Sequence, residues 1–173
     1  MTHTEVFNTI QQAKQFKKLS LQSVFIPNTI CQHENICILE SIDTSTQFEK
    51  LPPIKQRKVL SDILNALKWA IKHNIYHLDL KKEHIAIPKN TGILLDWNDA
   101  VFLRTNTIPN IASTYPPSNS IKILEQPSEK TLLNGIISQF GFLLYKFNIF
   151  PSKYIYKNPS DVQFTQLYNI LNI

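Results

Sequence analysis

The segment His77-Leu78-Asp79-Leu80-Lys81-Lys82-Glu83-His84, followed by Leu94-Leu95-Asp96-Trp97-Asn98, is the most informative part of the chain. Just before it, Val59, Ile63, Leu64, Leu67 and Ala70 recur at helical spacing behind Pro52-Pro53, which predicts one long helix over 54–73. Residues 75–80 then run into the charged turn Lys81-Lys82-Glu83. Two short apolar runs, His84-Ile85-Ala86-Ile87 and Ile93-Leu94-Leu95, flank Pro88-Lys89-Asn90-Thr91-Gly92, a linker of hairpin length. One carboxylate just after a long helix and another at the end of a hairpin can converge on a single cleft. A metal-nucleotide site needs that arrangement.

Upstream, the spacing predicts a helix from Thr4 as its cap to about Leu19, with Val6, Ile10, Ala13 and Phe16 on one face and Lys14, Lys17 and Lys18 outside it. Val24 to Ile26 stops at Pro27, and residues 29–32 and 36–39 read as two strands joined by a turn at His33-Glu34-Asn35. Downstream, residues 104–130 are rich in Thr, Asn, Ser and Pro, and a loop of that length in a compact domain is usually functional. A buried helix over 132–147 and a short amphipathic one over 160–173 complete the chain.

Composition limits the alternatives. With 173 residues, 43% of them hydrophobic and 18% charged, the chain can close one core of ordinary domain size. The net charge of +5 suits a phosphate-bearing partner without naming one. Gly92, Gly135 and Gly141 are the three glycines, too dispersed for a Rossmann or P-loop phosphate cradle. Cys31 and Cys37 form neither a C-x-x-C motif nor a disulfide framework, so a cytoplasmic setting is expected. The first ten residues lack the apolar run of a signal peptide, and the most apolar stretch, 136–150, falls short of the roughly 20 apolar residues that span a bilayer.

The order and spacing of the two Asp segments resemble the protein kinase family, whose catalytic loop reads H-R-D-L-x-x-x-N and whose metal-binding turn reads D-F-G. Thr114-Tyr115-Pro116-Pro117 is similar to the end of a kinase activation segment. Gln139-Phe140-Gly141-Phe142-Leu143-Leu144-Tyr145 is similar to the S-F-G-V-L-L-Y run of the helix that anchors the large lobe. The resemblance covers residues 19–150. It implies an α+β, kinase-like fold: a truncated small lobe and hinge over 1–46, made of one helix and a short strand pair without the glycine-rich loop, and a mostly helical large lobe over 47–173.

By the same resemblance, Asp79 is the base that accepts the proton of a substrate hydroxyl, and Lys81 offsets charge on the transferred phosphoryl group. Asp96 holds magnesium, with His84 as a second metal ligand. Glu40 and Ile42 belong to a hinge over 40–43 that meets the adenine of ATP, and Ile85 and Ile87 offer an apolar floor beneath it. The expected acceptor is a protein or sugar hydroxyl, the sugar kept open because Asp followed five residues later by His also resembles lipopolysaccharide-core kinases. A partner protein could complete the small lobe.

Several positions depart from the family. Leu78 replaces the Arg that pairs with a phosphorylated activation loop, His84 replaces the second metal-binding Asn, and Trp97-Asn98 replace Phe-Gly. The helix that should carry the Glu partner of the phosphate-binding Lys offers Gln11 or Gln12, with Glu5 displaced. These losses make a catalytically inactive pseudokinase, acting as a binding or regulatory module, the alternative to an active enzyme. Taken alone, Asp79 and Asp96 also suit loop carboxylates paired with lysines. His77 reads as a packed, hydrogen-bonded imidazole bracing the loop rather than a zinc ligand with His73, because the turn at Asn74 breaks the face. The basic groups on the helices read as solvated faces, so nucleic acid is not expected as a partner.

Overall fold

The computed structural model describes residues 3–103, 128–149, 155 and 158–171. Among them are four α-helices and three small antiparallel sheets, an α+β arrangement. Thr114-Tyr115-Pro116-Pro117 and nearly all of the expected loop over 104–130 lie outside the described residues.

The N-terminal part corrects the expectation of one helix and a strand pair. Strand β1 (His3–Val6) precedes helix α1 (Ile10–Ser20), and with β2 (Thr29–His33) and β3 (Ile36–Leu39) it forms a three-stranded sheet of order β1-β3-β2. Thr4 sits in this sheet opposite Ile38, not at a helix start. The cap is Thr9, whose hydroxyl accepts from the Gln12 N–H at 3.1 Å while the Gln12 side chain accepts from the Thr9 N–H at 3.1 Å. Val6, Ile10 and Ala13 fit a 3.6-residue period only because the chain turns between strand and helix. Val24 to Ile26 forms turns rather than a strand. The β2-β3 hairpin closes on Glu34, whose φ is 52°.

Helix α2 (Pro53–Lys72) starts with Pro at its first position, where a missing N–H costs nothing, and ends before Asn74 at φ 60°. Its buried face carries Val59, Leu60, Ile63, Leu64, Leu67 and Ala70. Strand β4 (Ile75–Tyr76) pairs with β7 (Val101–Phe102), and β5 (Ile85–Ala86) with β6 (Ile93–Leu94). Gly92 docks the second hairpin on α2, since a Cβ there would lie 2.6 Å from the Val59 carbonyl oxygen. Its N–H donates to Asp62 Oδ2 at 2.9 Å, and Lys58 Nζ holds the same oxygen at 2.8 Å.

Helix α3 (Glu129–Lys146) begins earlier than the apolar pattern predicts because Ser128 and Thr131 form a reciprocal cap. The last helix, α4 (Gln166–Leu171), starts later than the expected residue 160, and just before it the Gln166 side chain accepts from the Gln163 N–H at 2.8 Å. The small sheet and α1 share one core with the rest: Phe7 packs edge-on against Phe102 and Phe16 packs at a tilt against Trp97, each pair with ring centroids 5.9 Å apart. Among the described residues, no helix is long and apolar enough to cross a membrane.

Candidate functional site

The loop after β4 is fixed from both sides. His77, fully buried, donates from Nε2 to the Leu95 carbonyl at 2.9 Å and accepts the Asp79 N–H at Nδ1, 3.4 Å away. Burial drives its pKa down to about 4, and the hydrogen bond to Leu95 and the nearby carboxylates only partly offset that. The ring is therefore neutral and lies edge-on to Trp97, with centroids 4.7 Å apart. From α3, Gln139 donates to the Leu78 carbonyl and accepts the Leu80 N–H at 3.2 Å. Asp79 thus stands between two clamped peptide groups.

Asp79, His84 and Asp96 come together as expected from their segments, with one potential ligand atom from each lying within 4.8 Å of the other two. His84 closes the 3-10 turn Lys82–His84, with Nδ1 2.9 Å from the Asp79 carbonyl oxygen and Nε2 2.7 Å from Asp96 Oδ2. A carbonyl can only accept, so Nδ1 carries a proton. The hydrogen bond from His84 holds the Asp96 carboxyl below the usual carboxylate range, with burial opposing it. Asn98 Nδ2 donates to the other Asp96 oxygen at 2.9 Å. Lys81 Nζ reaches Asp79 Oδ2 at 2.8 Å. Burial works against the lysine charge, but Asp79, with Asp96 and Glu83 behind it, outweighs burial and raises its pKa.

Of these groups, His84, Asp96 and Asn98 line an open cleft of about 580 Å³, and Asp79 and Lys81 adjoin them. Glu40 and Ile42 line it, as do Leu95, Asp96, His84 and Glu83. Ile85 lines a neighbouring depression beside Phe48, and Ile87 is buried in the core, so the apolar surface of the cleft comes from Ile42, Leu95 and Pro27.

Three further participants were not legible as such. Glu5 lies in β1, not on a helix, and its buried Oε1 accepts the Trp97 N–H at 3.1 Å. Its Oε2 is buried without a hydrogen-bond partner among the described residues, and burial raises its pKa to about 7. His3, with Nε2 3.3 Å from Glu5 Oε1, lines the cleft. Asp99 feels Asp96 and Asp79, and burial together with those charges raises its pKa. Only Asp99, by its place beside Asp96, carried a local signal. A scan against models of protein families finds no match for this chain, and a search of curated proteins finds none either.

Proposed function

We propose that the chain is a reduced kinase-like phosphotransferase, moving a phosphoryl group from ATP to a protein or sugar hydroxyl. The observation that carries this reading is the convergence of Asp79, Lys81, His84 and Asp96, of which His84 and Asp96 open onto the cleft lined by Glu40 and Ile42. The two carboxylates and one imidazole suit a divalent cation, for which magnesium is the ion that the resemblance implies. Bound there, a cation would neutralise phosphate charge.

The residues' own tasks follow from their contacts. Asp79 accepts the proton of the acceptor hydroxyl as the new oxygen-phosphorus bond forms and the bond between the terminal phosphorus and its bridging oxygen breaks. Lys81, paired with Asp79, keeps a positive charge beside the transferred group. Gln139 and His77 hold the Asp79 loop still. Labelled ATP with magnesium or manganese and mixed protein and sugar acceptors tests the reading. Transfer by the chain, lost in Asp79→Asn, supports it. Absence of transfer in both, together with no nucleotide-induced rise in melting temperature, overturns it.

A second reading, a binding or regulatory module without turnover, rests on its own observation. Among the described residues lining the cleft there is no lysine or arginine, while Glu40, Glu83 and Asp96 are acidic. Nucleotide binding without transfer would favour this reading. A partner completing the small lobe would add to β1 or β2, the outer strands of the sheet.

A further inference from the structure

We infer that the Asp79, His84, Asp96 cluster selects a first-row transition divalent cation over magnesium. The inference rests on the cluster being the cation site of the proposed function, and it replaces the ion that the resemblance implies.

The donor set decides the preference. Mg²⁺ holds oxygen ligands in a tight octahedron and gives up water reluctantly, whereas first-row transition ions accept imidazole nitrogen alongside carboxylate oxygen. Here the imidazole stands between the two carboxylates. A magnesium ion on Asp96 would meet His84 as a neighbour to be pushed aside, while a transition ion would gain it as a ligand.

The imidazole is also presented as metal-binding histidines are. Its Nδ1 proton is committed to the Asp79 main-chain carbonyl at 2.9 Å, which turns Nε2 toward Asp96. That carbonyl belongs to a backbone clamped by Gln139 at Leu78 and Leu80. On the other side, Asp96 has φ 63°, a left-handed conformation strained for a side chain with a Cβ. The next residue holds it there, since Trp97 donates its backbone N–H to Glu5 and its ring Nε1–H to the Leu94 carbonyl at 2.8 Å. Adjacent ligands on an ion with bonds of about 2.1 Å lie about 3 Å apart. His84 Nε2 and Asp96 Oδ2 are 2.7 Å apart, so an ion seated between them needs only a small opening.

Mn²⁺ is the weakest binder of the transition series and so the most demanding probe. Titrating the full chain with Mn²⁺ in the absence of nucleotide, and reading free ion by electron paramagnetic resonance, should show binding about tenfold or more tighter than Mg²⁺ measured by competition. Spin-echo modulation of bound Mn²⁺ should show a directly coordinated nitrogen. His84→Asn should lose that nitrogen signal and narrow the preference, and Asp96→Asn should weaken both ions. Equal displacement of Mn²⁺ by equimolar Mg²⁺ in the unmodified chain, failure to bind Mn²⁺, or bound Mn²⁺ without a nitrogen ligand would each overturn the inference, and none of the three depends on a variant folding. A chain that prefers Mn²⁺ through nitrogen but ignores ATP supports the inference while defeating the proposed function.

Discussion

The Glu5 carboxyl titrates near neutrality for a reason that can be measured. It is fully buried, one oxygen accepts the Trp97 backbone N–H beside His3, and the other oxygen has no hydrogen-bond partner among the described residues. Burial is the main cause that raises its pKa from 4.5 to about 7 in the folded chain. Between those values the folded state binds more protons than the unfolded one, so this group stabilises the fold at low pH and loses its contribution as pH rises through 7. The loss is about 3 kcal/mol at most, by the relation between pKa shift and free energy. Glu5→Gln keeps an acceptor for the Trp97 N–H and cannot titrate. Urea unfolding from pH 5 to pH 8 should show the variant gaining on the unmodified chain by about 2 kcal/mol, and a difference that does not change with pH contradicts the argument. His77 works in the opposite sense. Its pKa, lowered by burial to about 4 against 6.5 for the free side chain, makes the fold lose stability as pH falls from about 6.5 toward 4. Comparing variant with unmodified chain at each pH cancels that contribution.

Between elements, stability depends on a few polar or close contacts that no local pattern announces. Gln139 of α3 serves both Leu78 and Leu80, and removing it leaves a buried carbonyl and a buried N–H without partners at about 1–3 kcal/mol each. Gln139→Leu should therefore lower unfolding free energy by about 2 kcal/mol or more, read from the urea midpoint at constant slope. Gly92→Ala should cost about 1–3 kcal/mol by the same measurement, because the methyl group meets the Val59 carbonyl and pushes the hairpin off α2. The hairpin and α2 were legible beforehand, since each has a period of its own within a dozen or so residues. The closeness of Asp79 and Asp96 was legible because both sit at the ends of such elements. Strand β1 was not: Val6, Ile10 and Ala13 mimic a helix, and the pairing of Thr4 with Ile38 is a contact across more than 30 residues. Glu5 under Trp97 is more remote still, set by sheet register and by the packing of Phe7 and Phe16 against Phe102 and Trp97. The Gln139 clamp lay within a motif read for its helix and not for its amide.

At the scale of the whole molecule, charge is distributed against the grain of its total. The chain carries a net +5, yet its cleft presents Glu40, Glu83 and Asp96 with no lysine or arginine among the described lining residues. Lys14 and Lys18, like Lys55 and Lys72, stand on the exposed sides of α1 and α2. At about 0.15 M salt the screening length is about 8 Å, so distant lysines attract a polyphosphate to the molecule without offsetting the carboxylates that it meets inside the cleft. Lys81 is closer, but its charge is shared with Asp79. On the proposed reading, a nucleotide would settle here only with a cation between its phosphates and Asp96. ATP with Mn²⁺ should raise the melting temperature, ATP with excess chelator should leave it unchanged, and Asp96→Asn should abolish the rise with the ion present. Because the requirement is local, raising salt should weaken the approach of the nucleotide while leaving the dependence on the ion intact. A rise of equal size with and without the ion would mean that the phosphates meet basic side chains rather than the acidic lining, and the site would have to be sought elsewhere on the molecule.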